Sequence, residues 1–158
     1  MGVPTFFRSI ILNKYYKNVH SGVDNGKLNC DYFFIDYNGI VYSAFATIQK
    51  DIKGKNYSKD KIEELVIDEV IRYTKYLICD VVKPKKCSYI SCDGPPPRSK
   101  IVTQRSRRYK TYSEKMFIQN EKKKLKIEID KVEWDASSNI CPGTMFMDKL
   151  SKKIISIM

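Results

Sequence analysis

Short apolar runs alternate with segments of helical periodicity along this chain. Two of the runs, 30–36 and 87–93, are rich in aromatic and β-branched residues and end at an aspartate, which favours buried β-strands. Around them, apolar residues recur at the spacing of amphipathic helices. The predicted helices are 5–17, 40–50, 60–82, a basic stretch from about residue 99 into the 120s, and 144–158.

Local signals predict where these elements end. Asn38-Gly39 is expected to separate the first strand from the next helix, because both residues favour turns. Asp60 is the expected N-cap of helix 60–82, and Glu63 three residues later completes a capping-box pattern. Pro84 is expected to stop that helix, since proline lacks the backbone donor that a helix interior needs.

The order of elements is strand, helices, strand, helices, which predicts an α/β fold with a parallel sheet and flanking helices. The length suits a single domain, and we assign residues 1–158 to one. Two strands are fewer than the roughly five or six of an average sheet. Either further strands lie in segments interpreted as loops, or the chain is only part of a domain, which is the interpretation we favour.

Composition excludes several classes of protein. The chain is 42% hydrophobic and 30% charged, and it has no apolar run of about 18 residues that could span a membrane. The N-terminus lacks the features of a secretory signal. The five cysteines form no C-x-x-C pair and His20 is the only histidine, so we expect free thiols in or near a core rather than disulfides or zinc. These observations predict an intracellular protein, with the cytoplasm favoured over the nucleus.

The formal charge of +11 is concentrated in one segment. Residues 98–126 contain eleven basic side chains and two acidic ones, which leaves +9 of the total there. Such a concentration is typical of proteins that bind a polyanion, although many charged helices are only solvated. The basic residues are Arg98, Lys100, Arg105, Arg107, Arg108, Lys110, Lys115, Lys122, Lys123, Lys124 and Lys126.

Both predicted strands end in an acid, Asp36 in the first and Asp93 in the second. In open α/β sheets, ligands bind beyond the carboxyl ends of the strands. The two carboxylates could therefore converge on Mg²⁺, which prefers oxygen ligands. The alternative is that each aspartate only caps the helix that follows it.

The start of the basic helix carries a more informative pattern. Lys100, Gln104, Arg107 and Arg108 fall at i, i+4, i+7 and i+8, which places them on one helix face. Free backbone N–H groups near a helix N-terminus already favour an anion, and guanidinium groups can bind phosphate through two hydrogen bonds. An acid beside a phosphate-binding face suits metal-assisted hydrolysis of a phosphodiester.

Four sequence blocks stand out along the chain: MGVPTFFRSI, IDYNGIVY, SCDGPPPRSKIVTQRSRRY and SSNICPGTMFM. They resemble the N-terminal catalytic region of the Xrn family of 5′-to-3′ exoribonucleases. They occur in the family's order and at similar spacing from residue 1 to about 147, and together they are highly specific. Flap endonucleases begin differently and lack the basic run, so they are the weaker match.

The resemblance implies a fold of the PIN/flap-nuclease kind. It also implies Mg²⁺-dependent (or Mn²⁺-dependent) removal of nucleotides from 5′-monophosphate ends of single-stranded RNA, as in mRNA decay. Asp36 and Asp93 would be catalytic metal ligands. The residues that would bind the 5′-phosphate are Lys100, Gln104, Arg107 and Arg108.

Tyr42 departs from the family pattern, because that position usually holds a histidine that stacks on the leading base. A tyrosine ring can also stack on a base, so we expect the role to be retained. The alternative for Tyr42 is packing in the core.

A second departure concerns the metal ligands. The family supplies further acids from positions after residue 158, and two carboxylates cannot hold two metal ions about 3.5–4 Å apart. Only Asp130, Glu133 and Asp135 form another acidic cluster in the chain. We therefore expect half an active site, completed by a second chain or a further segment. The alternative function is a fragment that binds 5′-phosphorylated RNA without cutting it.

Overall fold

The computed structural model describes residues 5–13, 15, 29–127 and 134–157. This part of the chain contains two β-strands, five α-helices and two π-helical segments. In chain order, they are a π-helical segment (Phe7–Leu12), β1 (Tyr32–Asp36), α1 (Tyr37–Ile52), α2 (Lys59–Lys75), a second π-helical segment (Tyr76–Val82), β2 (Cys87–Ser91), α3 (Arg98–Lys124), α4 (Ala136–Asn139) and α5 (Met145–Ile155).

β1 and β2 pair in parallel, with Tyr32 opposite Cys87 and Asp36 opposite Ser91. α1 and α2 lie in the connection between them, because parallel strands need a long crossover. The predicted α/β class and the parallel arrangement are therefore confirmed, and the sheet of the described residues has two strands. This register brings the carboxyl ends of both strands to one edge.

The core is formed mainly by α1, α2 and α5 together with Trp134. Val41 and Val66 are fully buried on the facing sides of α1 and α2. Trp134 is 2% exposed, and its ring packs against Phe45 and Phe146 at centroid distances of 4.7 and 5.2 Å. Packing between the helices therefore extends to the segment that precedes α4.

A buried carboxylate connects the same elements. Glu63 of α2 is 4% exposed and accepts hydrogen bonds from Trp134 Nε1 at 3.3 Å and Lys149 Nζ at 2.7 Å. A buried charge is costly unless it is paired, so all three side chains must be placed together. This network fixes α2, α5 and Trp134 relative to one another.

Two predicted boundaries are wrong. The N-cap of α2 is Ser58, not Asp60, and its Oγ accepts a hydrogen bond from the Lys61 backbone N at 3.3 Å. Asn38-Gly39 does not separate strand from helix, because both residues lie within the first turn of α1. The helix begins directly after β1 because its buried positions begin at its first residue.

The other predicted elements, the cysteines and the residues that the structure does not describe complete the comparison with the sequence. The basic helix is confirmed and runs uninterrupted for 27 residues, whereas the four-residue α4 was not predicted. The helix predicted over 60–82 changes to π-helical geometry after Lys75. The five cysteines do not all lie in or near the core as expected: Cys79, Cys87 and Cys92 are exposed, and Cys30 and Cys141 are half-buried. The predicted loop 18–28 with His20, and the acids Asp130 and Glu133, lie outside the described residues.

Among the described residues, no helix combines the length and the apolar character needed to cross a membrane.

Candidate functional site

A cleft of about 550 Å³ opens between α3 and the segment that contains α4. The turn 94–97 and the start of α1 complete its walls. Six of the seven residues predicted for the site line it, and they come from three separate parts of the chain. These residues are Tyr42, Asp93, Lys100, Gln104, Arg107 and Arg108.

One face of α3 supplies the basic wall of the cleft. No residue of α3 is buried, so its periodicity places a row of polar side chains along the cleft rather than in a core. The N-cap position is Pro97, which offers no side-chain hydrogen bond to the first turn. Pro97 and Lys100 both line the cleft, so the N-terminus of α3 lies at its edge, and the positive end of the helix dipole favours a bound anion there.

The cations of this wall differ in their partners. Arg108 Nη2 donates a hydrogen bond to Cys141 Sγ at 3.0 Å across the cleft. Lys100 and Arg107 are exposed, and no carboxylate among the described residues pairs with either of them. Two cationic groups are thus available to a ligand, while Arg108 is already positioned by the opposite wall.

Tyr42 lies in the cleft wall and not in the core. Its side chain is 44% exposed, and its hydroxyl donates to the Ile140 carbonyl O at 3.5 Å. Partial burial raises the pKa of Tyr42; the Cys141 side chain also raises it, and the Arg108 guanidinium lowers it. Tyr42 is therefore a partly exposed aromatic residue in the cleft wall, of the kind on which a planar group could stack.

Asp93 lines the cleft two residues after the end of β2. Its backbone N donates to the Asn38 side-chain Oδ1 at 3.1 Å, which ties the loop after β2 to the first turn of α1. The helix after Asp93 is capped at Pro97, so Asp93 is not a helix cap. Its carboxylate has no hydrogen-bond or ion-pair partner among the described residues.

Asp36 is the one predicted site residue that does not line the cleft. It is exposed at the end of β1 and occupies the N-cap position of α1, but its side chain makes no capping hydrogen bond. Burial is the main cause that raises the pKa of the Cys92 thiol, and the charges of Asp93 and Asp36 raise this pKa further. The two acids therefore share one edge of the sheet.

Asp36 and Asp93 fit a site for one metal ion better than a site for two metal ions. Mg²⁺ is often held by one or two carboxylates together with water and substrate phosphate, so Asp36 and Asp93 at the edge of the sheet are the residues that could hold such an ion. Within the described residues, no three acidic, histidine or cysteine side chains form a group that could hold a metal ion. A site for two metal ions is therefore not present in this part of the chain.

Sequence reasoning missed several residues of the cleft. Thr111, Tyr112 and Lys115 continue the α3 face that begins at Lys100, and the same periodicity could have found them. Asp135 and Ser137 come from the segment around α4, and no local sequence signal placed them opposite α3. Asn38 was interpreted as a turn residue, and its contact with Asp93 depends on the strand register.

Asp135 closes one end of the cleft through an ion pair with α3. Its Oδ1 accepts from Lys115 Nζ at 2.7 Å, and its Oδ2 accepts from Ser137 Oγ at 2.7 Å. Burial acts to raise the pKa of Asp135, but the hydrogen bonds from Lys115 and Ser137 outweigh burial and keep the pKa below its usual value. The carboxylate is therefore charged at neutral pH.

Comparison with known proteins identifies the family. The family described as XRN 5′-3′ exonuclease N-terminus matches residues 1–158. The chain belongs to the XRN family. The resemblance carried by the four sequence blocks is thereby confirmed over the full length given.

Relatives of known function are 5′-3′ exoribonucleases. 5′-3′ exoribonuclease 2 of Gallus gallus is 33% identical over 96% of this chain and 18% of its own length. 5′-3′ exoribonuclease 1 of Saccharomyces cerevisiae is 31% identical over 98% of this chain and 10% of its own length. The XRN chain described here thus spans less than a fifth of these relatives. No solved structure matches it significantly.

Proposed function

We propose that this XRN chain is a 5′-3′ exoribonuclease module that binds the 5′-monophosphate end of single-stranded RNA in the cleft beside α3. One observation carries the proposal: unpaired cations on α3 and the carboxylate of Asp93 line the same cleft. A nuclease that works from an end needs both a group that recognises the end and a group that acts on the adjacent bond. The names of the relatives support RNA as the substrate.

Recognition of the end is assigned to α3. Lys100 and Arg107 bind the terminal phosphate with help from the free N–H groups of the first helical turn, and Gln104 adds a neutral donor. Arg108 approaches the phosphate from its position beside Cys141. Tyr42 stacks on the first base. A new 5′-phosphate is exposed after each cleavage, so the same groups can bind the shortened RNA again.

Catalysis is assigned to the acids at the edge of the sheet. Asp36 and Asp93 would hold Mg²⁺ or Mn²⁺, which when bound stabilises the charge that develops on the scissile phosphate. Asn38 holds the backbone of the loop that carries Asp93. We further propose that the fold is of the PIN/flap-nuclease kind, and that a second chain or a further segment supplies additional acidic ligands. An intracellular, mainly cytoplasmic location remains part of the proposal.

A second candidate function is binding of 5′-phosphorylated RNA without cleavage. The absence of a third acid near Asp36 and Asp93 among the described residues favours it for the 158-residue chain by itself. The two functions share the same recognition of the 5′ end and differ only in whether the metal site is sufficient.

Decay of 3′-labelled RNA with a 5′-monophosphate or a 5′-hydroxyl, in Mg²⁺ or in EDTA, tests both functions. For the nuclease, we expect loss of 5′-monophosphate RNA in Mg²⁺ only, and Asp93→Asn should reduce the rate to the EDTA level while RNA binding persists. Arg107→Ala should lower the preference for 5′-monophosphate by at least about tenfold, because hydrogen bonds to charged groups are strong.

The outcomes separate the candidates. Selective binding without decay supports the binding function and contradicts the nuclease function of the isolated chain. Equal binding of both ends by the unchanged protein contradicts both. Retained cleavage in Asp93→Asn contradicts the assignment of Asp93. Lys55→Ala, which removes an exposed cation outside the cleft, is the control and should leave the preference unchanged.

A further inference from the structure

α3 is attached to the rest of the XRN chain in an unusual way. It has 27 residues, and none of them is buried. A helix normally holds its position by packing an apolar face against a core. Since α3 has no such face, its position relative to the cleft must come from other contacts.

Two polar contacts link α3 to another element within the described ranges. Arg108 Nη2 contacts Cys141 Sγ at 3.0 Å, and Lys115 Nζ contacts Asp135 Oδ1 at 2.7 Å. Both partners lie on the short segment that contains α4. The helix face that carries the proposed phosphate-binding residues is therefore held at two points, about two turns apart.

Asp135 is itself held in a fixed position. Both of its carboxylate oxygens are bonded, since Oδ1 also accepts from the Ser137 backbone N at 3.4 Å and Oδ2 accepts from Ser137 Oγ. Its backbone O accepts from Asn139 Nδ2 at 2.8 Å. The preceding residue, Trp134, is buried in the core and bonded to Glu63. Asp135 thus connects the core, through the neighbouring Trp134, to α3, which has no buried residues.

We propose that Asp135 is a positioning residue that sets the geometry of the 5′-phosphate site through its ion pair with Lys115. The inference rests on the proposed function and adds to it a residue that determines specificity without contacting the phosphate. Lys115 and Asp135 have side chains 50% and 45% exposed, so the pair contributes little to global stability. The ion pair between Lys115 and Asp135 therefore determines the position of α3, and its loss should not unfold the protein.

A purely electrostatic role of Asp135 and a positioning role predict different effects of its removal on RNA binding, so the two roles can be distinguished by experiment. Asp135 is an anion at the edge of a cleft proposed to bind an anion, so removing its charge should strengthen binding of any RNA. If Asp135 positions α3, its removal should instead weaken the preference for a 5′-phosphate, whatever happens to overall affinity. Measuring both RNA ends therefore distinguishes a positioning role from a charge effect.

The test is a double-mutant cycle on the full 158-residue chain, with binding of 5′-monophosphate and 5′-hydroxyl oligonucleotides measured in EDTA. Asp135→Asn keeps a side chain that can cap α4, and Lys115→Met keeps the length of the side chain. Each should lower the preference for 5′-phosphate by about fivefold, the upper range for a half-exposed ion pair. The double variant should lose no more than either single variant, because both break the same contact.

Lys110→Met is the matched control. Lys110 lies on the same helix with its side chain 77% exposed, does not line the cleft, and pairs only with Glu114 at 3.9 Å among described residues. Its loss removes the same charge from α3 and should leave the preference unchanged. Fluorescence of Trp134, the only tryptophan, monitors folding, and all four variants should unfold at nearly the same temperature as the unchanged protein.

Three results would overturn the inference. Unchanged preference in Asp135→Asn and Lys115→Met, with the preference present in the unchanged protein, would overturn the positioning role alone. Additive losses in the double variant would show that Lys115 binds RNA directly. No preference in the unchanged protein would overturn the proposed function and this inference with it.

Discussion

Tyr42 illustrates how a single side chain can be assigned by its surroundings. Its hydroxyl contact with the Ile140 carbonyl is long at 3.5 Å, whereas its ring is half exposed in the cleft. A bond of that length contributes little, so any binding of a base by Tyr42 would depend on the ring.

Substitution of Tyr42 separates ring from hydroxyl. Tyr42→Phe should bind a 5′-monophosphate oligonucleotide nearly as well as the unchanged protein. Tyr42→Ala should lose about 1–3 kcal/mol of binding free energy, the usual value of one base stacked on an aromatic ring. Fluorescence anisotropy of a labelled oligonucleotide in EDTA measures both. Equal affinity of the two variants would show that no base stacks on Tyr42.

Individual site residues could be predicted from the sequence where one local element carries them all. Lys100, Gln104 and Arg107 share a cleft wall because helical periodicity alone puts them on one face. Asp36 shares the edge of the sheet with Asp93, as the parallel arrangement predicts, but it does not line the cleft. Asp135 could not be placed, since its contact with Lys115 spans separate elements.

At the scale of elements, the start of α2 shows the limits of sequence patterns. The pattern of Asp60 and Glu63 fits a capping box, yet Ser58 caps the helix and Glu63 is buried against Trp134. Both Ser58 and Asp60 are acceptable caps by propensity. The choice between them depends on which side chains the core requires, and a local pattern does not contain that information.

Substitutions at the start of α2 test this assignment. Ser58→Ala should destabilise the protein by about 1 kcal/mol, the usual cost of losing an N-cap. Asp60→Ala should cost less, because Asp60 contributes only its charge near the helix N-terminus and a 3.4 Å contact with Lys149. Urea unfolding measured by circular dichroism gives both values. A larger loss in Asp60→Ala would show that Asp60 is the cap after all.

For the whole molecule, charge distribution matters more than net charge. The segment 98–126 carries +9 of the formal +11, so the cleft wall on α3 is strongly positive while the remaining surface is nearly balanced. Part of this charge is neutralised locally, as in the pairs of Lys124 with Glu121 and Lys110 with Glu114. The cations near the start of α3 have no such partners among the described residues.

Salt dependence measures how many of these cations contact phosphate. Each contact with single-stranded nucleic acid contributes about −0.7 to the slope of log K against log salt concentration. Lys100→Ala should therefore make the slope shallower by about 0.7, and Lys55→Ala should leave it unchanged. Binding titrations between low and moderate salt give the slopes. An unchanged slope in Lys100→Ala would remove Lys100 from the phosphate contacts.

The lack of buried residues in α3 has a consequence for heat stability. Within the described residues, local unfolding of this helix breaks its own hydrogen bonds and the contacts of Arg108 and Lys115, while the core of α1, α2 and α5 stays intact. On warming, the protein is expected to lose the surface proposed to bind RNA before it loses its fold. RNA binding would then be lost at a lower temperature than the one at which the core unfolds. Bound RNA would reduce the difference between these two temperatures, because it would hold α3 in place.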